Sequence, residues 1–343
     1  MFAVAHGRRV RISFSATPSS PGALTSAVLA DPPDDVPAAL AFAPRLGEAR
    51  AVPGDGTTTD QWEALATLAA QDLGVARAIE PHLDAVAILT QAGRLEGDTG
   101  TWGVFAAEGG PDPLVASQTD GGWVLDGTKQ WCSLAGSLDS ALVTAATADG
   151  DRRLFAVDLR SPGITVNTEA WVARGLTEIP SGPVQFAGVA ADAVGDPGWY
   201  LSRPGFALGG IGVAACWFGG AVALGRTLAD AVAAKPDPLR LAHLGAVDDL
   251  LQSSRRALGE AAALADHGYP DGRILAKRVR ANVARTCEEV LTHCAHALGP
   301  APLALDARHA KRVADLELYV RQHHAEHDLA SLGQAVVDAG DRW

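Results

Sequence analysis

The sequence predicts an α+β fold of several domains: an N-terminal helical domain, a middle antiparallel β-barrel domain and a C-terminal four-helix bundle. Apolar residues recur at helical spacing up to about residue 97, and short β-forming runs alternate with Gly, Asp and Pro turns over 98–202. Helical spacing returns over 203–343. The chain of 343 residues, 48% of them hydrophobic, is long enough to bury a core in each part.

In the first part, residues 1–97, we expect a loose tail over 1–22 and then helices. Thr59 or Asp60 is placed to cap a helix, and Glu63 follows at the spacing of a capping box. Pro81 predicts a break or the first turn of a new helix.

The middle part, residues 98–202, predicts strands only. Runs such as "GGWVL", "ALVTAATA" and "RRLFAVDL" follow one another with no helix between them, which favours an antiparallel domain over a parallel βαβ sheet. Asp126-Gly127 and the tip at 149–151 are hairpin signals.

The last part, residues 203–343, predicts four long helices with short connections, which is typical of a four-helix bundle. In the first of them Gly210, Gly212 and Ala215 imitate a dinucleotide-binding fingerprint. No strand leads into these residues, so we interpret them as small residues that allow close helix packing. The helices are predicted at 204–234, 237–267, 270–298 and 306–337.

Composition and charge exclude several classes of partner. The net charge of −12 disfavours nucleic acids and anionic membranes, because both bind positive surfaces. No apolar run is long enough to span a bilayer. Arg8 and Arg9 form a twin arginine, as in export signals, but the prolines and serines at 18–21 interrupt the apolar segment that such a signal needs. The four cysteines form no CxxC pair. We therefore expect a cytoplasmic protein with no nucleic-acid or membrane partner.

The segment "RQHHAEHDL" places His323 and His327 four residues apart, on one face of the predicted last helix. Two imidazoles at this spacing can hold zinc, but a third ligand has to come from elsewhere and the order is not HExxH. We expect no metal site. The pair is either a solvated or ion-paired helix face or part of an active site.

The segment "DGTKQWCSLAG", residues 126–136, is the first candidate for a site. Because side chains alternate along a strand, Trp131 and Ser133 are predicted to point to one side of it. An indole beside a hydroxyl is compatible with core packing. It is equally compatible with the wall of a pocket for a flat cofactor that accepts hydrogen bonds.

A longer segment, "DGGWVLDGTKQWCSLAGSLDSALVTAA" at 120–146, resembles the acyl-CoA dehydrogenase superfamily, as does the three-part order. In that family a DGG-W-x-L-x-G-x-K run is followed by W-I-T/S. The resemblance implies FAD as cofactor, a small-molecule substrate with acyl-CoA among the candidates, and a homodimer or homotetramer. It also implies that Trp131 lies against the isoalloxazine and that the Ser133 hydroxyl hydrogen-bonds to flavin N5.

Upstream, "TWGVFAAEGGPDPLVA" stands where the family has T-E-P-x-x-G-S-D. Glu108 matches the glutamate of that motif, whereas its flavin-contacting threonine is replaced by Ala107. The resemblance implies that Val104, Phe105, Ala106 and Ala107 line the flavin through backbone groups.

The resemblance weakens at the catalytic base. The family's glutamate stands in a Y-E-G motif after R-D-A-K, and here "RHAK" at 308–311 occupies that place. Counting on without gaps brings Glu317 onto the glutamate, but its neighbours are Leu316 and Leu318. The R-x-Q-F-G segment, which holds the ADP half of FAD in the family, is replaced by "AAKPDPLRLAHLG".

Because the sequence departs from the family's motifs at these positions, three functions are compatible with it. The first is a flavin-dependent oxidoreductase that desaturates an acyl thioester, with Glu317 as base. The second is a flavin-dependent monooxygenase on the same scaffold, with His323 or His324 near the flavin, as in branches of the superfamily that lack the glutamate. The third is a degenerate homologue that binds a ligand or a partner subunit without turnover.

Overall fold

The predicted fold class is confirmed by a computed structural model that describes residues 10–17, 19–94, 100–269 and 272–340. Helices come first, strands follow, and helices return after the last strand. The N-terminal helices are α1 (Ala23–Ala30), α2 (Val36–Gly47), α3 (Thr58–Gln71) and α4 (Leu73–Gln91).

The predicted capping box is wrong. Helix α3 begins at Thr58, and the Asp60 carboxylate accepts hydrogen bonds from two backbone N–H groups at the start of α1. Glu63 accepts from the backbone N–H of Phe14 at 2.7 Å. Both carboxylates thus bind neighbouring segments instead of the start of their own helix. Pro81 breaks nothing, since it lies inside α4.

Residues 10–17 are not a loose tail. Ile12 and Phe14 are buried in the main hydrophobic core. The backbone N–H of Ile12 donates to Thr67 Oγ1 at 3.0 Å, and Arg255 donates to the Phe14 carbonyl at 2.6 Å. This segment is therefore bound to α3 on one side and to the C-terminal helices on the other.

Strands β4, β2, β3, β7 and β5 form a closed ring, because β5 pairs back with β4. The prediction of antiparallel pairing holds for most pairs. It is wrong for β1 and β2, which lie end to end along one edge of β4 and run parallel to it. The strands are β1 (Trp102–Phe105), β2 (Val115–Thr119), β3 (Gly122–Lys129), β4 (Ser140–Thr147), β5 (Arg152–Asp158), β6 (Ile164–Val166) and β7 (Val184–Val194).

Asp126 and Gly127 do not form the predicted hairpin. They lie inside β3, where the pairing with β7 shifts its register between Leu125 and Gly127. Gly127 has a φ of 113°, and a Cβ at this position would meet the Pro113 carbonyl oxygen at 2.6 Å. Glycine is therefore required by the bulge and by the close approach of the next segment.

Three long helices form most of the C-terminal bundle, but the predicted fourth helix is broken. α10 ends at Tyr319, a 3₁₀ turn spans Val320–Gln322, and α11 begins at Glu326. Ala325, just before α11, has a left-handed backbone with a φ of 45°. The helices of this part are α5 (Trp199–Ser202), α6 (Gly205–Ala234), α7 (Pro238–Asp266), α8 (Gly272–Leu298), α9 (Pro300–Leu305), α10 (Ala307–Tyr319) and α11 (Glu326–Ala339).

Helix α6 is the central helix of the bundle. The glycines that imitate a dinucleotide fingerprint lie inside it. Among the described residues it is the one helix long and apolar enough to cross a membrane, which corrects the expectation that no run reaches that length. The most apolar window of this helix is 72% buried inside the fold.

Close packing of α3 on α6 gives a testable prediction at Gly219. A Cβ there would meet the Ala66 carbonyl oxygen at 2.2 Å, so Gly219→Ala forces the two helices apart. We expect the free energy of unfolding, measured by urea denaturation, to fall by about 1–3 kcal/mol. The matched control is Gly245→Ala on α7, where the added Cβ meets nothing within 4 Å. It is expected to stabilise by about 0.5–1 kcal/mol, and equal effects at both glycines would contradict the packing.

Candidate active site

Trp131 and Ser133 do not share a strand face, because β3 ends before them, at Lys129. Trp131 has a left-handed backbone with a φ of 61°, and Ser133 begins a turn. Period-two alternation therefore does not apply, and that prediction is wrong. The Trp131 side chain is 62% exposed, so its flat apolar face is open to solvent, whereas Ser133 is 9% exposed.

The Ser133 hydroxyl is bound by protein groups. It accepts from Arg77 Nη2 at 2.9 Å and lies 2.7 Å from Ser181 Oγ. Because Ser181 donates to the Ile179 carbonyl at 2.9 Å, the Ser133 proton is directed at Ser181. The other terminal nitrogen of Arg77, Nη1, is buried and has no hydrogen-bond partner among the described residues. It lies 3.8 Å from a carboxylate oxygen of Glu80.

The predicted flavin-lining segment lies on and after β1. Phe105 is buried in the main core, whereas Val104 and Ala106 pack against a smaller cluster around the start of β1. Ala107 and Glu108 are exposed, and the Glu108 carboxylate pairs with the buried Lys129 ammonium at 3.0 Å. A cofactor role for Val104–Glu108 stays a prediction.

A cleft of about 560 Å³ lies where α4, α6, α8 and the break after α10 meet. Its wall combines apolar, acidic and basic side chains. Glu80 and Asp84 come from α4, Arg273, Lys277 and Arg280 from α8, and His323 and His324 from the break. The remaining lining residues are Tyr200, Leu201, Arg203, Phe206, Ala207, Gly209, Gly210, Val213, Ala276, Gln322, Asp328 and Ser331.

Two carboxylates one helical turn apart on α4 enter the cleft. Burial raises the pKa of Glu80 to about 7, although the nearby Arg77 guanidinium opposes the shift. Burial also raises the pKa of Asp84, against Arg203, which donates to the Asp84 carboxylate at 3.2 Å. Glu80 therefore exchanges a proton near neutral pH, and Asp84 is held by a guanidinium.

Arg280 joins three elements around the cleft. Its Nη1 donates to the Gly210 carbonyl on α6 at 2.7 Å, and its Nη2 donates to the Gln322 carbonyl at 3.0 Å. Its guanidinium lies 4.7 Å from the centroid of the Trp217 ring. Arg280 thus fixes the break after α10 against α6 and α8.

His323 is a buried part of the cleft wall. It does not lie on a helical face with His327, as predicted, because α11 begins only at Glu326. Its Nε2 has no hydrogen-bond partner within the described chain, and an oxygen of Asp328 lies 3.9 Å away. Burial lowers the pKa of His323, which keeps the imidazole neutral at pH 7.

His324 and Glu317 are both exposed, and only His324 lines the cleft. The His324 Nδ1 atom lies 3.5 Å from an Asp328 oxygen. Glu317 lies on the solvent face of α10, which is regular helix up to Tyr319. Tyr319 is the last side chain of α10 that packs inward, and its ring lies 5.7 Å from the Arg77 guanidinium. Glu317 as the base stays a prediction that this geometry does not favour.

One group of carboxylates among the described residues is compact enough to hold a metal ion: Asp72, Glu178 and Asp315. The Lys311 ammonium already lies within 3.0 Å of an oxygen of each. The cluster is therefore an ion-pair network that links α10 to the start of α4.

Sequence reasoning missed Arg77, Glu80, Asp84, Arg203 and Arg280. Three of them, at positions 77, 80 and 84, recur at helical spacing on one face of α4, a helix whose other residues are mostly apolar. Charges at helical spacing inside an apolar segment were the available signal. Arg280 gave no such signal, because α8 carries many other charged residues.

The comparison with known families agrees with this architecture. A family model described as "Acyl-CoA dehydrogenase, middle domain" matches residues 109–189, most of the barrel. The sequence matches no curated protein. The barrel is therefore similar in sequence to the middle domain of acyl-CoA dehydrogenases, and the three-part fold is the acyl-CoA dehydrogenase-like fold.

Solved structures show the same fold at low sequence identity. KijD3, in complex with FMN and a dTDP-amino sugar, has a TM-score of 0.73 at 19% identity over 93% of this chain and 94% of its own. TdsC from Paenibacillus sp. A11-2, in complex with FMN and indole, has a TM-score of 0.74 at 17% identity over 89% of both chains. Butyryl-CoA dehydrogenase from Megasphaera elsdenii has a TM-score of 0.74 at 17% identity, over 94% of this chain and 100% of its own.

The burial of Glu80 predicts a pH-dependent effect of Glu80→Gln. Because the pKa of Glu80 is raised from 4.5 to about 7, its protonated form favours the folded chain, and this advantage is lost as the pH rises through 7. We expect the stability of Glu80→Gln relative to the wild type to improve by about 2 kcal/mol between pH 5 and pH 8.

Urea unfolding of both proteins at the two pH values measures this effect. The control is Glu317→Gln, which removes a carboxylate exposed on α10. The same pH dependence in both variants would show that Glu80 is not the group responsible.

Proposed function

We propose that the protein is a flavin-dependent oxidoreductase and, more specifically, a monooxygenase that acts on a small polar molecule in the cleft. The observation that carries the proposal is His323, a buried neutral imidazole in the cleft wall with an Nε2 that no described protein group binds. TdsC, which has the same fold, is a dibenzothiophene monooxygenase and has been solved with FMN.

The residues around Trp131 fit a flavin. The indole has an open flat face on which a planar ring system can stack. Arg77 Nη1 is a buried donor with no hydrogen-bond partner in the described part of the chain. The acceptor-rich edge of an isoalloxazine would supply the hydrogen bond that Glu80, at 3.8 Å, is too distant to make, since a buried donor without a hydrogen bond is costly. Arg77 rather than Ser133 is therefore the donor that we assign to the flavin.

We propose FMN in place of the FAD that the resemblance implies. The segment that holds the ADP half of FAD in the family is absent from this sequence. Two proteins of the same fold, KijD3 and TdsC, have been solved with FMN. The cytoplasmic location and the homodimeric or homotetrameric assembly stay predictions.

Reduced flavin supplies two electrons, which with O₂, two protons and the substrate give an oxygenated product and water. The flavin would have to be reduced by an external two-electron donor. We assign the proton transfers to side chains of the protein. His323 Nε2 accepts or donates a proton inside the cleft because the imidazole is neutral and this nitrogen has no hydrogen-bond partner among the described residues. Glu80, with a pKa of about 7, is a second proton-transfer group on α4.

The lining of the cleft favours a polar substrate over a straight acyl chain. Glu80 is buried there, Asp84 and Arg280 are half-buried, and Tyr200 and Arg203 add further polar atoms. An aliphatic chain in this space would remove water from these charged groups and offer them no hydrogen bond beyond the protein partners described above. A substrate with hydroxyl, amine or carboxylate groups would satisfy them.

One observation favours a second function, desaturation of an acyl thioester. Glu80 is a carboxyl group in the cleft with a pKa of about 7, which suits a base that removes an α-proton. Under this alternative Glu80 would act in place of Glu317. Anaerobic bleaching of the bound flavin by butyryl-CoA, abolished in Glu80→Gln, would select this function over the monooxygenase.

The cofactor proposal predicts that the purified protein is yellow and releases FMN, identified by its mass. Arg77→Gln is expected to weaken FMN binding at least tenfold in a fluorescence titration, since a charge-assisted hydrogen bond contributes about 1.5–3 kcal/mol. The control is Arg94→Gln, which removes an exposed guanidinium bonded to a carbonyl of β7. Equal affinities in the two variants would contradict the assignment of Arg77, and a protein that binds no flavin would contradict the proposed function.

The role of His323 predicts a change that needs no knowledge of the substrate. In His323→Asn, the bound reduced FMN should be reoxidised by O₂ about tenfold or more slowly, because proton delivery to the reduced oxygen is impaired. Stopped-flow absorption measures the rate. The control is His327→Asn, since that side chain is exposed and does not line the cleft. Equal rates in both variants and the wild type would exclude His323 as the proton-transfer group.

A further inference from the structure

Three histidines come together between α7 and α8, outside the cleft. His243 lies on α7, and His293 and His296 lie on α8. The Nδ1 atoms of His243 and His293 are 2.9 Å apart, and the rings of His243 and His296 lie 5.9 Å apart between centroids. His293 is thirteen residues from Arg280 along α8, a distance of about 20 Å. The cluster is therefore separate from the proposed active site.

We propose that these histidines bind a divalent transition-metal ion, of which Zn²⁺ is the probe. Zinc–nitrogen bonds of about 2.05 Å at a tetrahedral angle place two ligand nitrogens about 3.3 Å apart. The two Nδ1 atoms are already within half an ångström of that spacing. Neutral imidazoles are preferred ligands of Zn²⁺, Ni²⁺ and Cu²⁺.

A metal ion can take the position of the proton that lies between the Nδ1 atoms of His243 and His293. Nδ1 atoms 2.9 Å apart share a single proton, because two N–H groups cannot point at each other at this distance. A metal ion takes the place of this proton and bonds to both lone pairs. In a neutral pair the shared proton moves to the free Nε2 of the ring that carried it, so both Nδ1 lone pairs face the ion and both imidazoles stay neutral.

His296 supplies the third ligand from the next turn of α8. It is exposed and stands three residues after His293, so both rings are on one side of the helix. In the structure its nitrogens lie too far from the other two to share an ion with them, so a change of side-chain rotamer has to bring one of them in, and water completes the coordination. Arg240, the nearby cation on α7, is held by a hydrogen bond from its Nε to the Ala297 carbonyl at 3.1 Å.

Isothermal titration of the tag-free full-length protein with ZnCl₂ tests the proposal. One Zn²⁺ per chain is expected, with a dissociation constant in the micromolar range or tighter and an increase in Tm. His243→Gln and His293→Gln should each weaken binding at least tenfold, because each removes one of the two preformed ligands. Co²⁺ bound to the wild type should give the intense visible bands of a tetrahedral site.

His267→Gln is the matched control, because His267 is a single exposed histidine at the C-terminal end of α7. It should bind Zn²⁺ as tightly as the wild type. The variants must have the far-UV circular dichroism of the wild type without metal, which is expected because none of the three histidines is fully buried. No binding to the wild type, or equal affinity in all variants, would overturn the site whether or not the protein binds FMN.

Discussion

The arrangement of the candidate active site depends on the Arg280 guanidinium. It donates to the Gly210 carbonyl on α6 and to the Gln322 carbonyl at the end of the 3₁₀ turn, so it binds the broken last helix to the bundle. Charge-assisted hydrogen bonds of this kind are strong when buried. Together with the Arg321–Glu288 and Lys277–Ser331 contacts, they hold the segment away from the helical path predicted for 306–337. The break that they hold brings His323 into the cleft.

A second buried guanidinium connects the barrel to the same cleft. Arg77 on α4 reaches the Ser133 hydroxyl with one nitrogen and lies near Glu80 with the other. A region on the barrel surface and a cleft among helices are thus joined by one side chain. The chemistry that we propose needs both, because we assign the flavin to the barrel side and the proton-transfer groups to the helices.

Local patterns in the sequence predicted the order of the three parts and the long helices, since helical spacing and turn residues act over short distances. Predictions that assumed an uninterrupted strand or helix failed where contacts with distant parts of the chain end that strand or helix. Strand alternation failed at Trp131, because β3 ends at Lys129 after a bulge against the Pro113 segment. The prediction that His323 and His327 share a helical face failed because Arg280 on α8 holds the break in the helix before His323. Neither contact leaves a local signal.

A crystal structure of the protein with FMN would test the account most directly. It predicts that the isoalloxazine lies against Trp131, that Arg77 Nη1 is within hydrogen-bond distance of a flavin acceptor, and that His323 still lines the space beside the ring. A flavin bound elsewhere, or one that leaves Arg77 Nη1 without a partner, would contradict it.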